Sequence, residues 1–292
     1  MEIGVGLSMK AIDGEELTTF ARKVEDGPFD SISLGQRLTF DSNDPMIALT
    51  FAAAVTNRIK LLTSVLCLPF HKEGVLAQQA ATLDKLSRGR FSFGLGLGGR
   101  ESDFAAAPEA WPRRGERFEQ QLAAMKRIWA GQPPFEGTEP VGPVPFTPGG
   151  PEVIIGGYAT KALERAGRMA DGIRSFSFYT DVDEHMQRYA VVLDAWQKAG
   201  REGKPKLIAA THFALGPGSR ETYEAHVAKY YGYNKALMEN AMSGDAPTSP
   251  EAVRSTIKRF ADAGIDHLVF TATTADTIES LDRLAEVVAD IR

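Results

Sequence analysis

The chain has 292 residues, 43% hydrophobic and 24% charged, and its 33 basic and 38 acidic side chains leave a net charge of −5. That balance fits a soluble globular protein with a large core. With no basic block or tail, it argues against nucleic acid or an anionic membrane as partner. No run approaches the roughly 18–20 apolar residues of a membrane span, and the start, Met1-Glu2-Ile3-Gly4-Val5, shows no basic secretory leader.

In chain order, short apolar runs alternate with stretches of helical period. Strands are predicted at residues 3–7, 31–34, 59–65, 90–95, 153–155, 172–176, 207–213 and 267–270. Near-continuous apolar runs of this length suit parallel strands buried on both faces. Between them, Phe118, Leu122, Met125 and Trp129 form one helical stripe, and Met186, Tyr189, Leu193 and Trp196 another. Ile278, Leu281, Leu284, Val288 and Ile291 form a third near the end. Asp181 with Glu184 reads as a capping pair, and Ser249-Pro250 as an N-cap followed by proline. Gly89, Gly200 and Gly264 stand where helices should stop. The third strand carries the only cysteine, Cys67, just beyond it; this excludes an internal disulfide, reads as a small buried hydrophobe and suits a reducing cytoplasm.

Strand then helix, eight times, predicts an α/β protein: a (β/α)8 TIM barrel forming one domain over residues 1–292. An open doubly wound sheet is the rival, but it favours a Gly-x-Gly-x-x-Gly turn after its first strand. Here that strand runs into Ser8-Met9-Lys10-Ala11. Two irregular stretches interrupt the alternation. One is an insertion around residues 131–151, rich in proline and glycine; the other is the long segment between the seventh and eighth strands, with Tyr230, Tyr231 and Tyr233. Either could cover a ligand, the alternative being packing on the outside.

Two glycine clusters mark where a ligand could sit. Ile155-Gly156-Gly157-Tyr158-Ala159-Thr160 is a strand, a two-glycine turn and a helix start, which suits an anion bound by backbone N–H groups and the Thr160 hydroxyl. A plain tight turn is the structural alternative. Gly94-Leu95-Gly96-Leu97-Gly98-Gly99 ends the fourth strand and leaves room for a flat ligand. Beyond it, Arg100 could pair with a phosphate or carboxylate, or with Glu101 or Asp103 in a surface salt bridge. His71, His185, His212, His226 and His267 show no metal-ligand spacing. No lysine follows the sixth strand to form a Schiff base, and no Gly-x-Ser-x-Gly elbow occurs. Chemistry borrowed from a cofactor is therefore expected.

The run Ala80-Ala81-Thr82-Leu83-Asp84-Lys85-Leu86-Ser87-Arg88-Gly89-Arg90-Phe91 with Gly94-Leu95-Gly96 resembles the signature of the bacterial luciferase-like flavin-dependent oxidoreductases. Val153-Ile154-Ile155-Gly156-Gly157 and the later Ala170-Asp171-Gly172 agree with it. The resemblance implies a cofactor ring at the strand C-termini, a phosphate near Gly156-Gly157, and a bulge with a non-proline cis peptide at Ser64-Val65. It implies Gly6, Leu34, Ser64 and Val65 around the ring. Some members of that family take reduced FMN from a partner flavin reductase and activate oxygen; others use the deazaflavin coenzyme F-420 for hydride transfer. Gln36-Arg37-Leu38 after the second strand, with no histidine, departs from the deazaflavin-dependent sugar-phosphate dehydrogenases. His71 after the third strand could face the substrate, or lie at the surface. Family analogy also implies a homodimer.

The expectation is thus a flavin-dependent oxidoreductase, foremost a monooxygenase using reduced FMN and oxygen on a small organic substrate. Deazaflavin-dependent hydride transfer, a flavin-binding barrel without catalysis, and a cofactor-free isomerase or lyase on a phosphorylated substrate are the alternatives.

Overall fold

The computed structural model describes residues 1–7, 10–177, 180–242, 246–274 and 276–291, without the side chains at 237, 240 and 241. Ser8 and Met9, part of the first loop read above, lie outside that description. All eight predicted strands form, and the third is split. They are β1 (Glu2–Gly6), β2 (Ser31–Leu34), β3 (Lys60–Thr63), β4 (Leu66–Cys67), β5 (Phe91–Gly96), β6 (Glu152–Gly156), β7 (Gly172–Phe176), β8 (Lys206–Phe213) and β9 (His267–Ala272). Every pairing is parallel. The order β3-β2-β1-β9-β8-β7-β6-β5-β4 is closed by a direct β3–β5 ladder. With β3 and β4 forming one stave, this is a closed eight-stave barrel with surrounding helices, a (β/α)8 barrel.

The helices are α1 (Gly14–Asp26), α2 (Pro45–Val55), α3 (Glu73–Leu86), α4 (Glu101–Ala106), α5 (Arg114–Trp129), α6 (Thr160–Met169), α7 (Val182–Lys198), α8 (Ser219–Tyr231), α9 (Lys235–Met242), α10 (Pro250–Asp262) and α11 (Thr277–Ala289). Their starts follow local chemistry. Asp13, Asp44, Asp181, Ser249 and Asp276 each accept first-turn N–H groups, a contribution of about 1 kcal/mol per cap. Gly89, Gly200 and Gly264 stop helices with φ of 79°, 68° and 77°, a left-handed turn that glycine adopts freely. Phe118, Leu122, Met125 and Trp129 are all buried, as their spacing predicts. On α7 the buried face is rotated: His185, Val192, Ala195 and Trp196 face inward, and Tyr189 and Leu193 sit on its flank. Ile291, past the end of α11, is 42% exposed.

Ladder register sorts strand residues into two sets. Ile3, Val5, Leu61, Phe93, Ile155, Leu207 and Phe270 face outward into the layer beneath the helices. The inward set is Leu62, Ile154, Ile208, Ala210, Val269 and their register partners. Following the partners around the barrel places Glu2, Lys60, Glu152, Lys206 and His267 inward at the N-terminal end. Gly6, Ser33, Gly96, Gly156, Arg174, His212 and Thr271 face inward at the C-terminal end.

The insertion at 131–151 connects α5 to β6 and so lies at the N-terminal end. Buried Asp84 accepts from the Thr147 N–H at 2.7 Å and its hydroxyl at 3.0 Å. Phe146 lies over Gly89 and Trp129 over Gly150. These contacts correct the expectation that this stretch could cover a ligand at the strand C-termini: helix-to-strand connections of a barrel run on the opposite end. Among the described residues, no helix is long and apolar enough to cross a membrane.

Candidate active site

The interruption of the third strand builds the floor of the site. The Ser64–Val65 peptide is cis, as the family resemblance implies. The segment is held by β2 and its continuation: Ser64 N donates to Leu34 O at 2.8 Å and Gln36 N to Val65 O at 3.0 Å. Gln36 Oε1 accepts from Cys67 N at 3.0 Å. Val65 then projects between two glycines. A Cβ added to Gly96 or Gly156 would lie 2.6 or 2.7 Å from its methyl groups, closer than packed atoms tolerate. Glycine at both positions is what admits the valine as a flat, apolar platform.

Above it lies a cavity of about 390 Å³, within the usual range for small-molecule sites. Its floor includes Gly6, Leu34, Ser64, Val65 and Gly96, and its wall the turn Gly156-Gly157-Tyr158-Ala159. Arg100 also lines it. The Arg100 guanidinium donates to Tyr230 O at 2.7 Å and lies over the rings of Tyr230 and Tyr233 at 4.4 and 4.2 Å. It makes neither of the two surface salt bridges considered from sequence. Asp103 is instead engaged by Arg37 at 3.1 Å and by the Thr39 N–H at 2.8 Å. Two expected residues fall outside the lining. Thr160 is exposed at the start of α6. His71 stands behind the cavity, its Nε2 3.1 Å from Gln36 Nε2, so it positions the side chain that holds the bulge.

The opposite wall carries residues that no motif marks. Phe176, His212, Tyr230, Tyr231 and Arg174 all line the cavity. His212 Nε2 is 3.1 Å from the Tyr231 hydroxyl. Burial, then neighbouring His226, pulls the His212 pKa well below its usual value, so the imidazole is neutral. Burial, then Tyr230, holds the Tyr231 phenol well above its own, so it stays protonated. Burial pushes the Cys67 thiol up to about 12, which leaves it unreactive. The only signal for Arg174 in the sequence was a charge at the centre of the five-residue strand 172–176, which by itself does not say which face it takes. The long segment after β8 supplies the tyrosines; as a strand-to-helix connection it lies at the functional end.

A second, larger depression of about 620 Å³ opens at the N-terminal end, among Glu2, Glu152, Asp171, Lys206 and Asp266. Its charges already have partners: Lys206 lies 3.3 Å from Glu152 and 3.9 Å from Glu2, Lys204 3.5 Å from Asp266 and Arg201 3.5 Å from Asp171. A site whose charges are already satisfied has little to offer a ligand. In the C-terminal cavity, by contrast, buried Ser64 Oγ, Arg100 Nε, Arg174 Nε and Arg37 Nη1 have no hydrogen-bond partner. Ala159, at the N-cap of α6, has no side chain to cap that helix. With the Ala162 N–H already bonded to Ala159 O at 2.7 Å, its Thr160 and Lys161 N–H groups can receive an anion. A glycine-cleared floor and an uncapped helix start fit a flat ring with an anionic tail.

Comparison with known proteins agrees. An uncharacterized protein of Mycobacterium tuberculosis is 33% identical over 174 residues, so the match spans 57% of this chain and only 60% of that relative. An F420-dependent glucose-6-phosphate dehydrogenase of Nakamurella multipartita is 26% identical across 94% of this chain and 92% of its own. The crystal structure of the monooxygenase RslO1 from Streptomyces bottropensis superposes with a TM-score of 0.77 over 99% of both chains at 18% identity, a likeness of fold. The family model for luciferase-like monooxygenases matches residues 1–290, and the chain belongs to that family.

Proposed function

We propose that the chain is an oxidoreductase whose C-terminal cavity seats a reduced flavin-type ring on Val65, between Gly96 and Gly156. The observation that carries this reading is the platform itself: two glycines at positions where any Cβ would collide with the valine. Gly6, Leu34 and Ser64 surround that seat, and the turn Gly156-Gly157-Tyr158-Ala159 with Thr160 at the start of α6 would hold the anionic tail. When bound, the ring supplies the hydride or the oxygen-activating electrons.

Two cofactors compete for this seat. The deazaflavin coenzyme F-420 is favoured by the His212–Tyr231 pair, because hydride exchange at an alcohol or carbonyl carbon needs a proton released or delivered beside it. Tyr231 would hold that proton at its hydroxyl, with neutral His212 3.1 Å behind it as acceptor or donor. The dehydrogenase relative supports the same choice. Reduced FMN with oxygen is favoured by the aromatic cover of Tyr230, Tyr231 and Tyr233, which would exclude water from a reactive site. A flavin reductase would then be needed as partner, and in either case the second ligand is a small organic molecule.

Titration of the purified protein with reduced FMN and with reduced F-420, followed by tryptophan fluorescence, tests the reading. One of the two is expected to bind at micromolar concentration, and Gly156→Val to weaken it at least a hundredfold. Failure of both ligands at high micromolar concentration would overturn the assignment. A homodimer in the cytoplasm completes the proposal. Ile47 and Phe51 on α2 and Val75 and Leu86 on α3 are 42–74% exposed, an apolar surface suited to a second copy; light scattering reads its mass.

A further inference from the structure

Five charged side chains other than histidine point into the barrel from its strands. Four are at the N-terminal end and cancel: Glu2 and Glu152 against Lys60 and Lys206. The fifth is Arg174 of β7, at the C-terminal end. Among the described residues no carboxylate lies within ion-pairing distance of it, and it makes no hydrogen bond; its Nε is buried and unpartnered. The groups acting on it are the phenols of Tyr158, Tyr231 and Tyr230. Its guanidinium carbon lies 5.8 Å from the Phe176 ring centre.

Such a residue costs stability. Half-buried along the cavity wall, it keeps its Nε out of reach of water and unpaired, which is unfavourable, and arginine, unlike lysine, cannot shed its proton to escape. The cavity as a whole has the same bias. Arg37, Arg100, Arg114 and Arg174 line it against a single carboxylate, Asp103, although the chain's net charge is −5. Asp103 is taken by Arg37, and Arg100 and Arg114 already donate to the carbonyls of Tyr230 and Trp111. Arg174 alone has its whole fork available.

We infer that Arg174 is the anchor for a carboxylate on the substrate, so that the enzyme acts on a small organic acid with an apolar or aromatic body. This inference rests on the oxidoreductase reading of the same cavity. A guanidinium presents two parallel N–H donors that match a carboxylate. A phosphate would call for further donors, and here the surroundings are rings: Phe176, Tyr158 and Tyr231. The uncapped start of α6 offers the cofactor's own anion a separate seat. Arg174 stands three staves around the barrel from the Val65 platform, and on the same wall as Tyr231 and His212. A carboxylate held there would place the neighbouring carbon beside the group that handles the proton.

The test uses benzoate and its neutral analogue benzamide, titrated calorimetrically into cofactor-free protein, with Arg174→Met and Arg174→Lys alongside. Wild type is expected to bind benzoate at least tenfold more tightly than benzamide. Arg174→Met should lose at least tenfold in benzoate affinity and keep its benzamide affinity, with part of the loss restored by Arg174→Lys. Its melting temperature should equal or exceed wild type, since an unpaired charge is removed. Its affinity for whichever of reduced FMN and F-420 the wild type binds should stay within about twofold. Equal benzoate binding by wild type and Arg174→Met would overturn the inference. So would a matching loss of cofactor affinity, which would make Arg174 a seat for the cofactor's tail. If no protein binds either cofactor, the oxidoreductase reading falls, while the benzoate comparison still decides the anchor.

Discussion

The two ends of this barrel are built from the same strands and treat charge in opposite ways. At the N-terminal end three strand starts are tied to their neighbours by an aspartate. Asp30, Asp171 and Asp266, each just before a strand, accept from the N–H groups of Ile3, Val153 and Leu207 at 2.7–2.8 Å. Each passes its own carbonyl to the next strand, at Lys60, Lys206 and Glu2. Inside that ring Lys60 pairs with Glu2, Ser92 donates to Glu152 at 2.7 Å, and His267 bridges Ser31 and Glu2. At the C-terminal end, Ser64, Arg100 and Arg174 are left with unused donors above a floor of glycines. One end is closed on itself and holds the fold. The other is incomplete without a ligand, as expected where barrel chemistry is located.

The contrast can be broken or sharpened by substitution. The largest effect is expected at the open end, in rate and not stability: Tyr231→Phe should lower kcat by about 10²–10⁴-fold, the usual range for a lost general acid or base, while the melting curve moves little. Turnover within a few-fold of wild type would remove Tyr231 from the chemistry. Acid should come next and act at both ends. Burial holds His267 and His226 at about 4 and His185 at about 3, against roughly 6.5 in the unfolded chain. The unfolded state therefore binds more protons across that interval. Stability should be fully present above about pH 6.5 and fall as pH drops towards 3–4. A melting temperature flat from pH 7 to 4.5 would contradict the neutral, buried histidines.

At the closed end, Asp266→Ala should destabilise by about 1–3 kcal/mol, because the Leu207 N–H loses its acceptor in a buried ladder. Chemical denaturation measures this, and a loss below about 0.5 kcal/mol would show that water replaces the carboxylate. The smallest shift is predicted for Ser64→Ala at the open end. Its hydroxyl has no partner to lose, so stability should change by no more than about 0.5 kcal/mol, while cofactor affinity falls. A change as large as that of Asp266→Ala would erase the distinction between the two ends.

Much of this was legible in the residues. Parallel strands buried on both faces leave continuous apolar runs, and Asp181, Ser249, Gly89, Gly200 and Gly264 announce helix ends through their own side-chain and backbone chemistry. The glycines of the floor could be picked out because a missing Cβ is a property of the residue itself. Less legible were Arg174, His212 and Tyr231. Nothing within residues 172–176 or 207–213 says which parity faces the axis; that follows from register summed around a closed barrel. The two irregular stretches show the same limit. Composition made residues 131–151 look like a cover, yet the connection runs from a helix to a strand and belongs to the closed end. The segment between the seventh and eighth strands, the other stretch that could cover a ligand, does so: Tyr230, Tyr231 and Tyr233 wall the cavity.

Sequence alone determined which segments form strands and helices, where the helices stop, and that two glycine clusters keep the strand ends clear. Those are local consequences of periodicity, capping and the absence of a Cβ. Only the tertiary structure decided which inward charges cancel and which one does not, and that a histidine and a tyrosine 19 residues apart meet at one wall. Pairing of charges depends on distances set by barrel closure, and no short stretch of chain contains that information.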